Sequence, residues 1–528
     1  MRKYLWVLFL AVALLSGAAD AAGTLRLAIH TDESTLSPYT YVFGYPGYYA
    51  LKFIYDSLFE LDRENIPRPW LVESYDVSED GLTWTLVLRR DVRWHDGVPF
   101  TARDVAFTYD YFRAHRQSRF TSAIARALDR VEVVDDYTVR MYLRKPDPAF
   151  IFAPLADVPI LPEHLWNDVE NPRAFAGTVG TGPYKLVEIR PGQAYILEGN
   201  PDYFRGKPYF DRIVMPIITD PNTLYTALRA GQIDAASQGL SPELVPQFKA
   251  IPGIEVVRGP GYALTLLQIN NERYPLNLKK FRQALAYAID PQYLVDTVLL
   301  GYGTAGTPGF FHPSSPWANP AVPRYEGGPE RAAAILEGLG FVDRDSDGFR
   351  ETPEGDELTL EILVYSGRPL RIRTAEIISS WLAEAGIRAP VRALDAATVD
   401  SLVWPEFDVR KGRDYALAIW GWSASLQFNP WKPLPLFHSD PNVGVLNIGG
   451  YKNPEVDALI EEFYVTAGLD AVREKVFQLQ ELIAEDVPFI PLYFADGIYA
   501  YWPKVHDAWV FVKGVGIFNK LSLVESEG

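Results

Sequence analysis

The chain has 528 residues, more than a single hydrophobic core usually organises, so at least two lobes are expected. Hydrophobic residues make up 48% and charged residues 22%, which excludes extended disorder, and a formal net charge of −17 argues against a nucleic-acid-binding protein, which needs basic faces. There is no cysteine, which excludes disulfides, thiol catalysis, thiolate metal sites and a lipid-modified cysteine.

Arg2 and Lys3, an apolar run over 4–15 and the small residues of 16–21 with an Ala-x-Ala pattern read as a secretory signal peptide spanning 1–22. The run is too short for a comfortable membrane span. The mature chain is therefore expected to be soluble, in a periplasm or outside the cell. Residues 24–29 alternate as a strand, 30–48 form a Tyr-, Pro- and Gly-rich loop leaving it, and 49–61 turn helical. Strands are predicted over 82–88, 131–134 and 138–143, with a helix over 102–113. Further strands follow within 180–198 and 210–218, then a helix over 221–228 with Pro221 opening it, and a strand from 233. The second half repeats the alternation. Helices are expected over 281–289, 291–300, 330–339, 371–385, 455–466 and 469–485, and strands over 358–365 and 415–419. This order implies α/β lobes.

Residues 343–354 carry the sharpest chemical signal. Asp343, Asp345, Asp347, Glu351 and Glu354 fall at positions one, three, five, nine and twelve of a calcium loop, with Gly348 at six and the main chain of Phe349 at seven. Alternate side chains at that spacing converge on one hard cation, so a structural calcium is expected. Arg350 at position eight and Pro353 depart from the pattern, and an Asp-rich turn held by its own hydrogen bonds is the alternative. The GxGxxG of 301–306 follows a helix instead of a strand and reads as a loop, with no dinucleotide cofactor. No nucleophile elbow, HExxH or phosphate loop is present. The seven histidines are scattered, and His95, beside Trp94 in a turn, reads as structural.

Several runs, taken in order, carry a resemblance. Arg89-Arg90-Asp91-Val92-Arg93-Trp94-His95-Asp96-Gly97 leads into Thr101-Ala102-Arg103-Asp104. Gly180-Thr181-Gly182-Pro183-Tyr184, Ala227-Leu228-Arg229-Ala230-Gly231, Phe281-Arg282-Gln283-Ala284-Leu285, Asn453-Pro454-Glu455 and Asp486-Val487-Pro488-Phe489 follow. Together they resemble the peptide/nickel type of extracellular solute-binding protein of ABC importers, family 5, across the mature chain.

The resemblance implies a two-lobed periplasmic-binding-protein fold of the class II type with an inserted subdomain. Lobe I is expected from 23–48, 178–262 and 493–528, its insertion from 49–177, and lobe II from 263–492, with hinges near 262 and 492. It also implies a monomer without catalysis that captures a peptide or other small solute between lobes and hands it to membrane permease subunits.

Matched to that family, the run from Tyr415 through Trp420, Trp422 and Ser425 is the ligand-facing strand and loop. Peptide-binding members carry an aspartate where Ser425 stands, to pair with a terminal ammonium, and serine cannot neutralise that charge. Trp420, Trp422, Trp431, Gln427 and Asn429 then suit a neutral ligand such as an oligosaccharide. Tyr39, Tyr41 and Tyr45 on the first loop are further candidates. An oligosaccharide-binding importer protein, a ligand sensor or export chaperone, and a secreted glycan or peptide hydrolase stay open as alternatives.

Overall fold

A computed structural model describes residues 23–41, 45–117, 119–466 and 468–524; the expected signal segment lies outside the described residues. Two compact units emerge, one running to Gly259 and resuming at Gly497, the other spanning Pro260–Asp496.

In unit 1, β1 (Thr24–Ala28) buries Leu25 and Leu27 and leaves Thr24 and Arg26 half-buried, the alternation expected of a strand. The predicted helix over 49–61 is replaced by a short helix, Gly47–Leu51, and by β2 (Phe59–Leu61), which pairs with β3 (Pro67–Pro69). Phe53, Ile54, Tyr55, Leu58 and Phe59 are all buried, so this stretch has no polar face for a helix to turn to water. Next come β4 (Val72–Val77), β5 (Thr83–Leu88), β6 (Leu128–Asp135) and β7 (Thr138–Leu143), an antiparallel sheet in the order β4-β5-β7-β6. Helix Ala102–Ala114 is entered through a capping box between Thr101 and Asp104, as the motif's spacing requires.

β8 (Tyr184–Arg190), β9 (Ala194–Gly199), β10 (Arg212–Pro216) and β11 (Ala235–Ala236) complete a sheet in the order β11-β1-β10-β9-β8, in which β1 runs parallel to both neighbours. β12 (Glu255–Gly259) pairs antiparallel with the returning strand Gly497–Tyr501. Segment 49–177 shares its core with the rest of the unit: Leu86 and Tyr109 belong to the same buried cluster as Leu25 and Leu197.

The last residues fasten this unit. Asp56 is fully buried and accepts from Lys520 (2.6 Å), Trp70 (2.8 Å), Thr181 (2.9 Å) and Tyr203 (3.1 Å). Lys520 also pairs with Glu60 at 2.6 Å. His95 is structural as expected. Its Nε2 lies 2.9 Å from the Gly182 carbonyl and its Nδ1 accepts from the Gly180 N–H, which fixes the neutral tautomer. Burial pushes its pKa down to about 4. Gly180 packs so closely on the main chain of Ile54 that a Cβ would come within 1.9 Å of the carbonyl oxygen, which explains that glycine in the motif.

Unit 2 contains β13 (Leu264–Ile269), β14 (Gly303–Ala305), β15 (Ile362–Tyr365), β16 (Val391–Leu394), β17 (Leu417–Trp422) and β18 (Phe489–Ala495), in the order β14-β18-β13-β17-β15-β16. β15 runs parallel to β16 and β17, while β13 is antiparallel to β17 and β18. Leu267, Ile269, Leu417 and Ile419 face one way, into a core with Phe281, Leu294 and Ile378 from helices Lys279–Ala288, Pro291–Val298 and Pro369–Glu384. The GxGxxG segment, expected as a loop, contains edge strand β14. Among the described residues, no helix is long and apolar enough to cross a membrane.

Candidate functional site

The carboxyl ends of β15, β16 and β17 lie side by side, the place where open α/β sheets bind ligands. Each strand feeds a turn there. Tyr365 leads through Arg368 into helix Pro369–Glu384, Leu394 through the capping Asp395 into helix Ala396–Val403, and Trp422 into the 3-10 turn Ala424–Gln427.

Trp420 and Trp422 share a strand face by the two-residue period, with Ile419, just before them, pointing to the core on the opposite face and Gly421 between them. Their rings are 6.4 Å apart. Tyr365 sits 5.6 Å from Trp420 and donates to Asp400 at 2.6 Å. Trp404, just past helix Ala396–Val403, meets Trp422 edge-on at 6.1 Å.

Arg371 completes the rim. Its guanidinium lies 5.9 Å from the Tyr365 ring and packs on the main chain of Gly421. Burial holds it below its ordinary pKa, with the neighbouring Arg368 charge acting in the same direction. Among the described residues, neither Arg368 nor Arg371 has a carboxylate partner, in a protein with 67 acidic residues to offer one. Arg368 is the N-cap and Arg371 stands in the first turn of a sixteen-residue helix without an acidic residue there. Both cations thus oppose the helix dipole, a local cost of about 0.3–1 kcal/mol each.

Of the residues singled out from sequence, the structure brings Trp420, Trp422 and Ser425 to this rim. Ser425 shares a hydrogen bond with Ser423 at 2.8 Å. Gln427, Asn429 and Trp431 are drawn away. Gln427 is buried and bridges the His312 N–H and the Phe310 carbonyl. Asn429 caps the main-chain N–H groups of Trp431 and Lys432. Trp431 is buried edge-on against Phe463 at 5.7 Å.

The tyrosines belong to unit 1. Tyr39 is buried, stacked on Phe112 at 5.2 Å and donating to the His115 carbonyl. Tyr41 is half-buried and packs at 6.2 Å from Tyr48. Tyr45 donates to the Ser237 carbonyl at 2.5 Å, where the carboxyl ends of parallel β1 and β11 meet, and Ser237 also bonds His30.

Sequence reasoning missed Arg368, Arg371, Tyr365 and Trp404. The signal for the arginines was present: two cations at a helix N-terminus, with no acid in the first turn, are misplaced unless something anionic meets them.

The acidic loop is compact. One carboxylate oxygen each of Asp343, Asp345, Asp347 and Glu351 lies within 4.8 Å of all the others. Asp343 accepts from the Ser346 and Gly348 N–H groups, and Asp347 pairs with Arg388 at 2.8 Å. Glu354, at position twelve, is outside this group and accepts from Tyr274 at 3.4 Å. Gly355 turns the chain (φ 96°) and Glu351 bridges to Glu357, so the chain doubles back here, where a continuing helix would swing Glu354 inward. Phe349 lies under Arg388 at 4.3 Å from the ring centroid.

Residues 67–444 match the family model for bacterial extracellular solute-binding proteins, family 5 (middle). The chain is 28% identical over 459 residues to the oligopeptide-binding protein AppA of Bacillus subtilis, covering 84% of this chain and 80% of that one. The fold matches the ABC transporter substrate-binding protein CtaP of Listeria monocytogenes at a TM-score of 0.83 and 25% identity, over 96% of this chain and all of the other. NikZ of Campylobacter jejuni, solved in complex with Ni(L-His), matches at 0.75 and 26% with the same coverage.

Proposed function

This chain belongs to the family-5 bacterial extracellular solute-binding proteins, and from that premise we propose that it captures a small carboxylate-bearing solute for an ABC importer, with Arg371 as the anion's partner. The carrying observation is the pair of arginines without carboxylates at the strand-end rim of unit 2, one of them desolvated against Gly421. Arg371 is half-buried and Arg368 exposed, so the partial desolvation of Arg371 without a counter-ion is what is unfavourable, and a ligand carboxylate relieves it through a bidentate contact that guanidinium geometry favours. Ser425 supports an acidic ligand over a zwitterionic one, because no acid stands at that position to hold an ammonium. Relatives named for oligopeptide and for Ni(L-His) binding are consistent with a family whose ligands differ. We read the protein as a binder without turnover, exported by the 1–22 segment, that passes its solute to membrane permease subunits.

A thermal-shift comparison tests the ligand class. An N-acetylated short peptide and its C-terminal amide are offered to the wild type and to Arg371→Met. The free acid should raise Tm, the amide should not, and the variant should lose the response. Neutral oligosaccharides that raise Tm equally in both proteins would reject the anionic reading.

We further propose that Asp343, Asp345, Asp347 and Glu351 hold one calcium ion in a structural role. Four converging carboxylates and the DxDxDG spacing support this.

A further inference from the structure

Five aromatic rings form one continuous line across the strand ends of unit 2. From Tyr365 at the Arg371 end, successive centroids lie 5.6 Å (Trp420), 6.4 Å (Trp422), 6.1 Å (Trp404) and 5.4 Å (Phe407) apart. Two features of the line stand apart from the ring contacts.

The first is the set of indole donors. Nε1 of Trp404, Trp420 and Trp422 are all removed from solvent and have no acceptor. Trp420 is itself only 6% exposed. Buried polar groups in native proteins are nearly always paired, and an indole N–H can only donate. Core residues Trp84 and Trp94 have indole N–H groups in the same state, so these three donors reflect tight ring packing and are closed to a ligand as they stand.

The second is Phe407. It is 65% exposed, the most exposed large apolar side chain among the described residues. It is also held in the left-handed region at φ 56°, directly after Glu406 at φ 53°. Two successive residues with a Cβ in that region are unfavourable, and such strain persists only where the surroundings impose it. Here Phe407 N–H to Trp404, Asp408 N–H to Pro405 and Asp414 N–H to Leu402 fasten the loop. The result places an apolar ring in water at the far end of the line from the arginines.

We propose that Trp404 and Phe407 set ligand specificity, and that the solute is a planar aromatic carboxylate. Its carboxylate meets Arg371, its ring system lies along Trp422 and Trp404, and Phe407 covers its distal ring. This rests on the anionic reading above and adds the body of the ligand to its charged end.

Three probes separate the two claims by calorimetry on the full mature chain: quinoline-6-carboxylate (ring and anion), hexanoate (anion only) and quinoline (ring only). Quinoline-6-carboxylate is expected to bind at least tenfold more tightly than either of the others. Phe407→Ala and Trp404→Leu should each weaken it at least fivefold, and by more than they weaken hexanoate. Phe407 is exposed, so its truncation keeps the test valid if the Trp404 variant folds poorly. Equal affinities for quinoline-6-carboxylate and hexanoate, or no effect of Phe407→Ala, would overturn the aromatic claim while leaving the anionic one standing. Loss of quinoline-6-carboxylate in Phe407→Ala with full retention in Arg371→Met would support the aromatic line and overturn the anion partner.

Discussion

Nη2 of Arg371 rests against the bare Cα of Gly421, so closely that a methyl group there would come within 2.1 Å of it. The main chain of Gly421 is not in the left-handed region, so alanine is tolerated by the backbone. The clashing atom is the tip of a flexible side chain. Gly421→Ala should therefore expel the guanidinium from its seat, and with the Leu264 carbonyl oxygen 3.1 Å from the new methyl the folding cost should be about 1–3 kcal/mol. Binding of a carboxylate-bearing ligand should fall at least tenfold. Titration calorimetry with the free-acid peptide, beside a urea melt, separates the two effects.

Lys520 and Asp56 are a buried pair, 3% and 0% exposed. Lys520→Met removes the cation and strands Asp56 among neutral donors. Removal of one partner from a buried pair typically destabilises by about 3–5 kcal/mol. A urea midpoint in the variant within error of the wild type would show that Trp70, Thr181 and Tyr203 alone satisfy the carboxylate.

His95 has a folded pKa lowered to about 4 by burial. The unfolded chain takes up a proton near pH 6.5, the ordinary histidine value, and the folded chain only near 4. Stability from this group is thus complete above pH 6.5, is lost as pH falls toward 4 and does not change further below that. For a part-exposed ring the loss should be about 2 kcal/mol. His95→Gln, which keeps a donor for the Gly182 carbonyl, should flatten that portion of the pH–stability curve. An unchanged slope between pH 6.5 and 4 in the variant would count against the assignment.

For the acidic loop, calcium at a hundredfold excess over its Kd should add about 2.7 kcal/mol of stability. Asp345→Asn with Asp347→Asn should abolish that gain. Glu354→Gln should leave it intact, because that side chain turns to Tyr274. Calorimetry showing no heat with calcium would remove the site.

Much of the architecture could be read from residue order because local chemistry and tertiary packing agree there. Pro221 opens a helix, Thr101 with Asp104 caps one, and Leu25 and Leu27 alternate into a core. The 49–61 stretch failed because Phe53, Ile54 and Tyr55 are buried on every side, and a period carries no information when no face is polar. The binding rim was half legible. Trp420 and Trp422 sit in a motif, whereas Arg371 and Trp404 reach the same rim from a helix start and a loop that only the parallel pairing of β15 and β17 brings together. Gln427, Asn429 and Trp431 lie near Trp422 in sequence, but the turn after β17 sends them into the unit's interior.

Unit 2 is one uninterrupted stretch, while unit 1 needs Lys520 at its centre and Gly497–Tyr501 beside β12. A chain emerging from its N-terminus can therefore finish its second unit before its first. Until the final thirty or so residues arrive, Asp56 has no counter-ion and β12 has an open edge. The order of synthesis thus leaves the first unit without its last two fastenings for longest, and a chain whose tail is cut short should be more open to proteases there.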